Sequence, residues 1–155
     1  MHISPELTTF LSSMIPVGEL RTAIPFAINI LGLPKEIAFI WAILGNMVPV
    51  FILLKLLNPI VKLLMKYSKP LHDILQKLFS KTRVKHSKKF ERYEALFLPL
   101  FVAIPLPGSG AWTGILIAFV FGISYWKSVG LIGLGVLIAG IIVTASTSPL
   151  TSLFH

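Results

Sequence analysis

The chain has 155 residues, of which 55% are hydrophobic and only 13% charged, and its mean hydropathy is +0.84. That is far more apolar than a soluble domain of this size needs, and it reads as an all-α, multi-pass protein of the cell membrane. The absence of cysteine excludes disulfides, thiolate metal sites and cysteine nucleophiles. A net charge of +8 would suggest nucleic acid in a soluble chain, but 11 of the 14 Lys/Arg residues fall between Lys55 and Arg92. Such clustering in one short loop is an orientation signal that keeps the loop cytoplasmic, and no nucleic-acid partner is expected.

Four stretches carry no Asp, Glu, Lys or Arg: 7–18, 37–54, 95–126 and 128–155. The first apolar run has no basic region before it and no small-residue cleavage site, so it is expected to be retained rather than removed as a signal. Within the first repeat, 1–58, the apolar runs 7–15 and 22–33 flank Pro16-Val17-Gly18-Glu19-Leu20-Arg21, which predicts a broken hairpin over about 6–33. An uninterrupted run from Ile37 to Leu54 follows. At 1.5 Å per residue it is about 27 Å long, and it predicts a transmembrane helix over about 36–57.

Segment 59–93 is expected to be a basic loop containing an amphipathic helix. Ile60, Leu64, Tyr67, Leu71, Leu75 and Leu78 recur at steps of three or four between lysines, a pattern suited to the membrane surface and to anionic lipids. Pro70 is expected to kink that helix.

The second repeat, 94–155, has the same order. Ala95 to Trp126 would be about 48 Å long as one helix, well beyond a bilayer of about 30 Å. Pro99, Pro105, Pro107, Gly108 and Gly110 break it near the middle, predicting a second hairpin over about 95–124. A span over about 128–147 follows, with Gly130, Gly133, Gly135 and Gly140 permitting close helix contact. Ala23-Ile24-Pro25 matches Ala103-Ile104-Pro105 at an offset of 80, while Gly32 and Leu44-Gly45 match Gly122 and Leu134-Gly135 at an offset of 90. With segment 59–93 cytoplasmic, the first hairpin enters from outside and the second from the cytoplasm. That makes an inverted repeat of re-entrant hairpin plus transmembrane helix, an architecture that builds transport sites near the bilayer centre.

Ionisable residues within a membrane suggest function, and Glu19 and Arg21 lie together in the first hairpin. Residues at i and i+2 do not face each other on a helix, so the two charges meet across an irregular backbone or find partners in the other hairpin. Burial disfavours the charge on Glu19 and a nearby Arg21 favours it, a balance that suits a proton carrier. If the pair lies at the interface instead, it caps the hairpin. Asn29 and Asn46 are polar residues in apolar runs, suited to interhelical hydrogen bonds or to ligands. Pro105, Pro107, Gly108, Ser109, Gly110, Trp112 and Thr113 form the densest irregular stretch. A helix starting there would point its positive end at a cavity, where an anion or the Glu19 carboxylate is favoured; a packing turn anchored by Trp112 is the other reading. No metal-ligand pair or catalytic triad is apparent, so neither an enzyme nor a cofactor is expected.

"ELRTAIP" from Glu19 to Pro25, Gly45-Asn46, "AIPLPGSGAWTG" from Ala103 to Gly114 and "GLGVLIAGIIVT" from Gly133 to Thr144 resemble the small multidrug export protein family, a branch of the DedA/VTT-like superfamily. The resemblance implies opposed re-entrant hairpins and marks Glu19, Arg21, Pro25, Pro105, Pro107, Gly108, Gly110, Trp112 and Thr113 as matching the family pattern. Thr22 stands where the family pattern leads one to expect glycine, and Ser109 where threonine is commoner. In the superfamily the implied activities are proton-coupled transport and movement of lipids between leaflets.

The expected function is therefore an ion-coupled, proton-using transporter for a small amphipathic or lipid-like substrate. The alternatives are a flippase or scramblase for a polyprenyl-phosphate or phospholipid without obligatory ion coupling, and a non-transporting scaffold. Expected partners are membrane lipids, an amphipathic or anionic lipid substrate, protons and, where one small chain cannot enclose a pathway, a second copy as a homodimer.

Overall fold

The computed structural model describes residues 3–17, 19–67, 69–83, 88–104 and 109–147, and all regular structure among them is α-helical. The helices are α1 (Pro5–Ser13), α2 (Glu19–Asn29), α3 (Lys35–Tyr67), α4 (Lys69–Arg83), α5 (Lys88–Ala103), α6 (Ala111–Phe121) and α7 (Tyr125–Ser146). Two short helices followed by a long apolar one thus occur twice, with α4 between the sets.

Local chemistry explains the boundaries. Ser4 starts α1 by accepting the Leu7 N–H at 3.3 Å, with Pro5 supplying a preset φ in the first turn. After α2 and after α6 the chain reverses through glycines of nearly equal left-handed φ, +69° at Gly32 and +71° at Gly122, where a β-carbon would be strained. The next residue folds back in both turns: Leu33 N–H donates to Ala27 O and Ile123 N–H to Ala118 O, each at 2.9 Å. These are the two glycines paired at an offset of 90 in the sequence.

Segment 59–93 is helical over most of its described part, not a loop with one helix. Helix α3 runs on to Tyr67 although Pro59 lies inside it. The carbonyl that Pro59 leaves without a helical donor belongs to Lys55, beyond the apolar run, where water can bond it. Pro70 does not kink a helix; it sits in the first turn of α4, where its missing N–H costs nothing and where it disfavours helical backbone in the residue before it. Helix α5 begins among Lys88, Lys89, Glu91 and Arg92, all tolerant of helical backbone.

Helices α3 and α7 are long and apolar enough to cross a membrane. The 22 residues of α7 span about 33 Å, whereas the 33 residues of α3 reach about 50 Å and project beyond a bilayer of about 30 Å. The two run antiparallel, since Gly133 lies against Met47 while Gly140 lies against Phe39 and Ile43. Tyr125 donates to Phe51 O at 3.3 Å in the same register. Helix α1 runs beside α3 in the same direction: the Phe10 ring meets Trp41 edge-on at 6.1 Å, and Ser13 packs at Gly45 one turn further on.

Close approach depends on two matched glycines. A β-carbon on Gly45 would run into Phe10 O and Ser13 Oγ, and one on Gly135 would lie 2.7 Å from Pro99 O and 2.6 Å from Val102 Cβ. In each half the long helix therefore uses a glycine about ten residues from its start to admit the first short helix. The buried core joins both halves through Ile24, Ala27, Ala42, Val50, Val102, Ile115, Ile132 and Val136. Many large apolar side chains remain exposed, among them Ile30, Leu44, Leu100, Leu116 and Ile141, a surface that needs an apolar covering.

Candidate functional site

The break between α5 and α6 leaves a helix C-terminus and a helix N-terminus close together, with unsatisfied carbonyls on one and unsatisfied N–H groups on the other. The two charges of the first hairpin meet these two ends. Glu19 Oε2 accepts the Ala111 N–H at 3.3 Å and Oε1 accepts the Trp112 N–H at 3.2 Å, so the carboxylate closes the positive end of α6. Arg21 Nη2 donates to Val102 O at 3.0 Å and Ile104 O at 2.8 Å, placing the cation on the negative end of α5. Successive helical residues differ by about 100°, so two positions apart the side chains point nearly opposite ways. That spacing lets one turn of α2 serve both ends.

Glu19 is only 6% exposed and has φ +50°, the one positive φ at a non-glycine residue among the described residues. Left-handed backbone at such a residue costs about 1 kcal/mol or more, which the two charge-assisted hydrogen bonds offset. Gly110 makes the approach possible: a β-carbon there would overlap the carboxyl carbon and both oxygens of Glu19. A third bond joins the hairpins in the reverse sense, with Trp112 Nε1 donating at 3.2 Å to Met14 O at the end of α1.

Asn46 is fully buried. Its amide lies beside the Glu19 carboxylate but outside good hydrogen-bond geometry, and neither Oδ1 nor Nδ2 has a hydrogen-bond partner. Leaving such a group unpaired costs about 1–3 kcal/mol. Asn46 is also the depth marker of the site. It stands midway along the uncharged run 37–54, about 13 Å from either end, and Glu19 is level with it.

The structure brings Glu19, Arg21, Asn46, Gly110 and Trp112 together. Ser109 is buried beside them and spans the break by donating to Ile104 O at 2.6 Å; Thr113 is in the first turn of α6, half-buried. Pro25 lies inside α2 and withholds the N–H that would otherwise bond the Arg21 carbonyl. Asn29 is placed apart, at the far end of α2 and about 15 Å along its axis from Glu19. Pro105, Pro107 and Gly108, with Gly18, lie outside the described residues. Sequence reasoning missed the contribution of main chain, namely the Ala111 N–H and the Met14, Val102 and Ile104 carbonyls. Only the irregular composition around them hinted at it. A cleft of about 310 Å³ lined by Leu54, Asn58, Phe119 and Tyr125 lies at the opposite end of α6 and takes no part in this constellation.

No curated protein and no solved structure matches the chain. A family model described as "Putative small multi-drug export protein" matches residues 19–142, a range that begins at Glu19 and includes Arg21, Asn46, Gly110 and Trp112. With most of its length matched, from the first hairpin through α7, the chain belongs to the small multi-drug export protein family.

Proposed function

We propose that this protein is a proton-coupled membrane transporter for a small amphipathic or lipid-like substrate, with Glu19 as the residue that carries the proton. Membership of an export-protein family points to a membrane transporter rather than an enzyme. One observation carries the finer reading: a carboxylate buried at mid-depth accepts both of its hydrogen bonds from α6, across the two hairpins.

We read α1–α2 and α5–α6 as re-entrant hairpins of an inverted, DedA/VTT-like repeat, the first entering from outside and the second from the cytoplasm. The antiparallel run of α3 and α7, the matched turns at Gly32 and Gly122 and the matched contacts at Gly45 and Gly135 support it. The basic residues from Lys55 to Arg92 then lie on the cytoplasmic side.

The residues supply a coupling cycle. As a carboxylate, Glu19 ties α2 to α6 while Arg21 ties α2 to α5, and the centre is closed from both sides. Adding a proton removes the charge that strengthens both Glu19 bonds. The acid then needs an acceptor for its O–H, and the unpartnered Asn46 Oδ1 offers one. With the tie to α6 weakened, the hairpins part and the centre opens to one side; proton loss restores the latch.

The test is reconstitution in vesicles holding an internal pH-sensitive dye, with ethidium and a headgroup-labelled phospholipid as probes. An imposed pH gradient is expected to drive probe movement together with proton flux, and Glu19→Gln to stop both. Probe movement that ignores the gradient and survives Glu19→Gln refutes proton coupling. If only the lipid probe crosses under those conditions, a flippase without obligatory coupling is the reading; if neither probe moves, a scaffold is.

A further inference from the structure

We infer that the start of α6 is an oxyanion seat in which the Glu19 carboxylate is a built-in competitor, displaced during the cycle by an anionic group of the substrate. The inference rests on the proposed role of Glu19 and adds to it the chemical class of what is bound. A helix N-terminus alone would not carry it. Three further features of this one do.

First, the seat already holds an oxyanion, since the two carboxylate oxygens of Glu19 take the Ala111 and Trp112 N–H groups separately. Second, the space for it is reserved by Gly110, whose missing β-carbon is replaced by the carboxylate itself; a phosphate or carboxylate group has the same planar or tetrahedral O–X–O edge. Third, the fully buried Asn46 amide, beside the carboxylate, leaves both polar atoms without a partner. A buried group of this kind is expected to be satisfied in some state of the molecule. When protonated Glu19 turns its O–H to Asn46 Oδ1, Nδ2 of the same amide remains to donate to an anion at the Ala111 and Trp112 N–H groups. One residue then serves both the acid that leaves and the anion that arrives.

The groups facing Glu19 fit a proton-dependent exchange. Helix α2 contributes Arg21, α3 contributes Asn46 and α6 contributes its N–H groups; among the described residues Arg21 is the charged side chain acting on it. Arg21 stays on the α5 carbonyls and keeps the potential at the seat positive. An arriving anion and a seated carboxylate would repel each other there, so anion binding and proton uptake by Glu19 go together.

The experiment is a binding titration on the purified full-length chain in detergent, followed by Trp fluorescence, between pH 8 and pH 5. Inorganic phosphate and dodecyl phosphate are the two probes. Wild type is expected to bind the anion more tightly as pH falls. Glu19→Gln is expected to bind about tenfold or more tighter than wild type at pH 8, with little pH dependence left, and Asn46→Leu to weaken binding at pH 5 about tenfold. Dodecyl phosphate binding far more tightly than phosphate identifies the source as an amphiphile headgroup; equal affinities identify a free anion. The inference is overturned if Glu19→Gln binds no more tightly than wild type at pH 8 or if Asn46→Leu leaves affinity unchanged. Loss of gradient-driven transport in Glu19→Gln without tighter anion binding would sink this inference and leave proton coupling standing. Tighter binding with transport intact would do the reverse.

Discussion

Gly110→Ala adds a single methyl group at the one place where the latch between the hairpins has no room for it. The built β-carbon overlaps the carboxyl carbon and both oxygens of Glu19, so the two bonds to Ala111 and Trp112 cannot survive together. Hydrogen bonds to a charged group contribute about 1.5–3 kcal/mol each. Losing both costs about 3–6 kcal/mol, of which the relaxed φ at Glu19 returns about 1 kcal/mol. For a chain of this size 1 kcal/mol moves Tm by about 2–4 °C, so a fall of about 5–15 °C is expected in a detergent thermal-shift assay. Gly130→Ala is the control. Its β-carbon meets nothing within 4 Å, it lies inside α7, and removing a helical glycine there is expected to stabilise by up to about 1 kcal/mol. A double-mutant cycle with Glu19→Ala isolates the contact: the pair should couple by about 2 kcal/mol or more, because alanine at 110 has nothing to strike once the carboxylate is gone. Additive effects of Gly110→Ala and Glu19→Ala would refute the seating of Glu19 on α6.

Asn46→Leu should raise stability by about 1–3 kcal/mol, since it replaces an unpaired buried amide by an apolar group of similar size, while abolishing gradient-driven transport; a loss of stability would show that the amide is paired. Arg21→Met removes both bonds to the end of α5, and faster hydrogen exchange is expected at the last turn of α5 with little change in α7. Gly45→Ala and Gly135→Ala should each destabilise by about 1–3 kcal/mol and by similar amounts, as their matched contacts require; a neutral effect at either position would contradict the close approach drawn there. The absence of native cysteine allows single-cysteine labelling at exposed sites. Ile74→Cys in α4 and Ile30→Cys after α2 are expected to react from opposite faces, and reaction of both from one face would overturn the proposed orientation.

The membrane character, the helices and the location of the breaks were written in the sequence. An uncharged run of 18 residues at 37–54 has few ways to bury its backbone except as a helix, and proline and glycine clusters break helices wherever they occur. The recurrence of Gly32 and Gly45 at Gly122 and Gly135 was also legible, because positive φ and close backbone contact each single out one residue type. The extent of α3 and α5 was not, since Pro59 and the charged turn at Lys88 read as loop until it is known which carbonyls water can reach.

For the site, the sequence determined that two opposite charges had to be accommodated two residues apart within an apolar hairpin. It could not say how. Their partners are main-chain groups of Ala111, Trp112, Val102 and Ile104, at separations of 81 to 93 residues, and main-chain N–H and C=O groups are the same for every residue type, so no pattern of side chains announces them. The depth of Glu19 was likewise beyond the sequence, because depth depends on which residue of α3 lies beside it. Only the packing of the first hairpin through Gly45, against the second through Gly135, sets Asn46 next to the carboxylate and gives the acid and the base a helix end each.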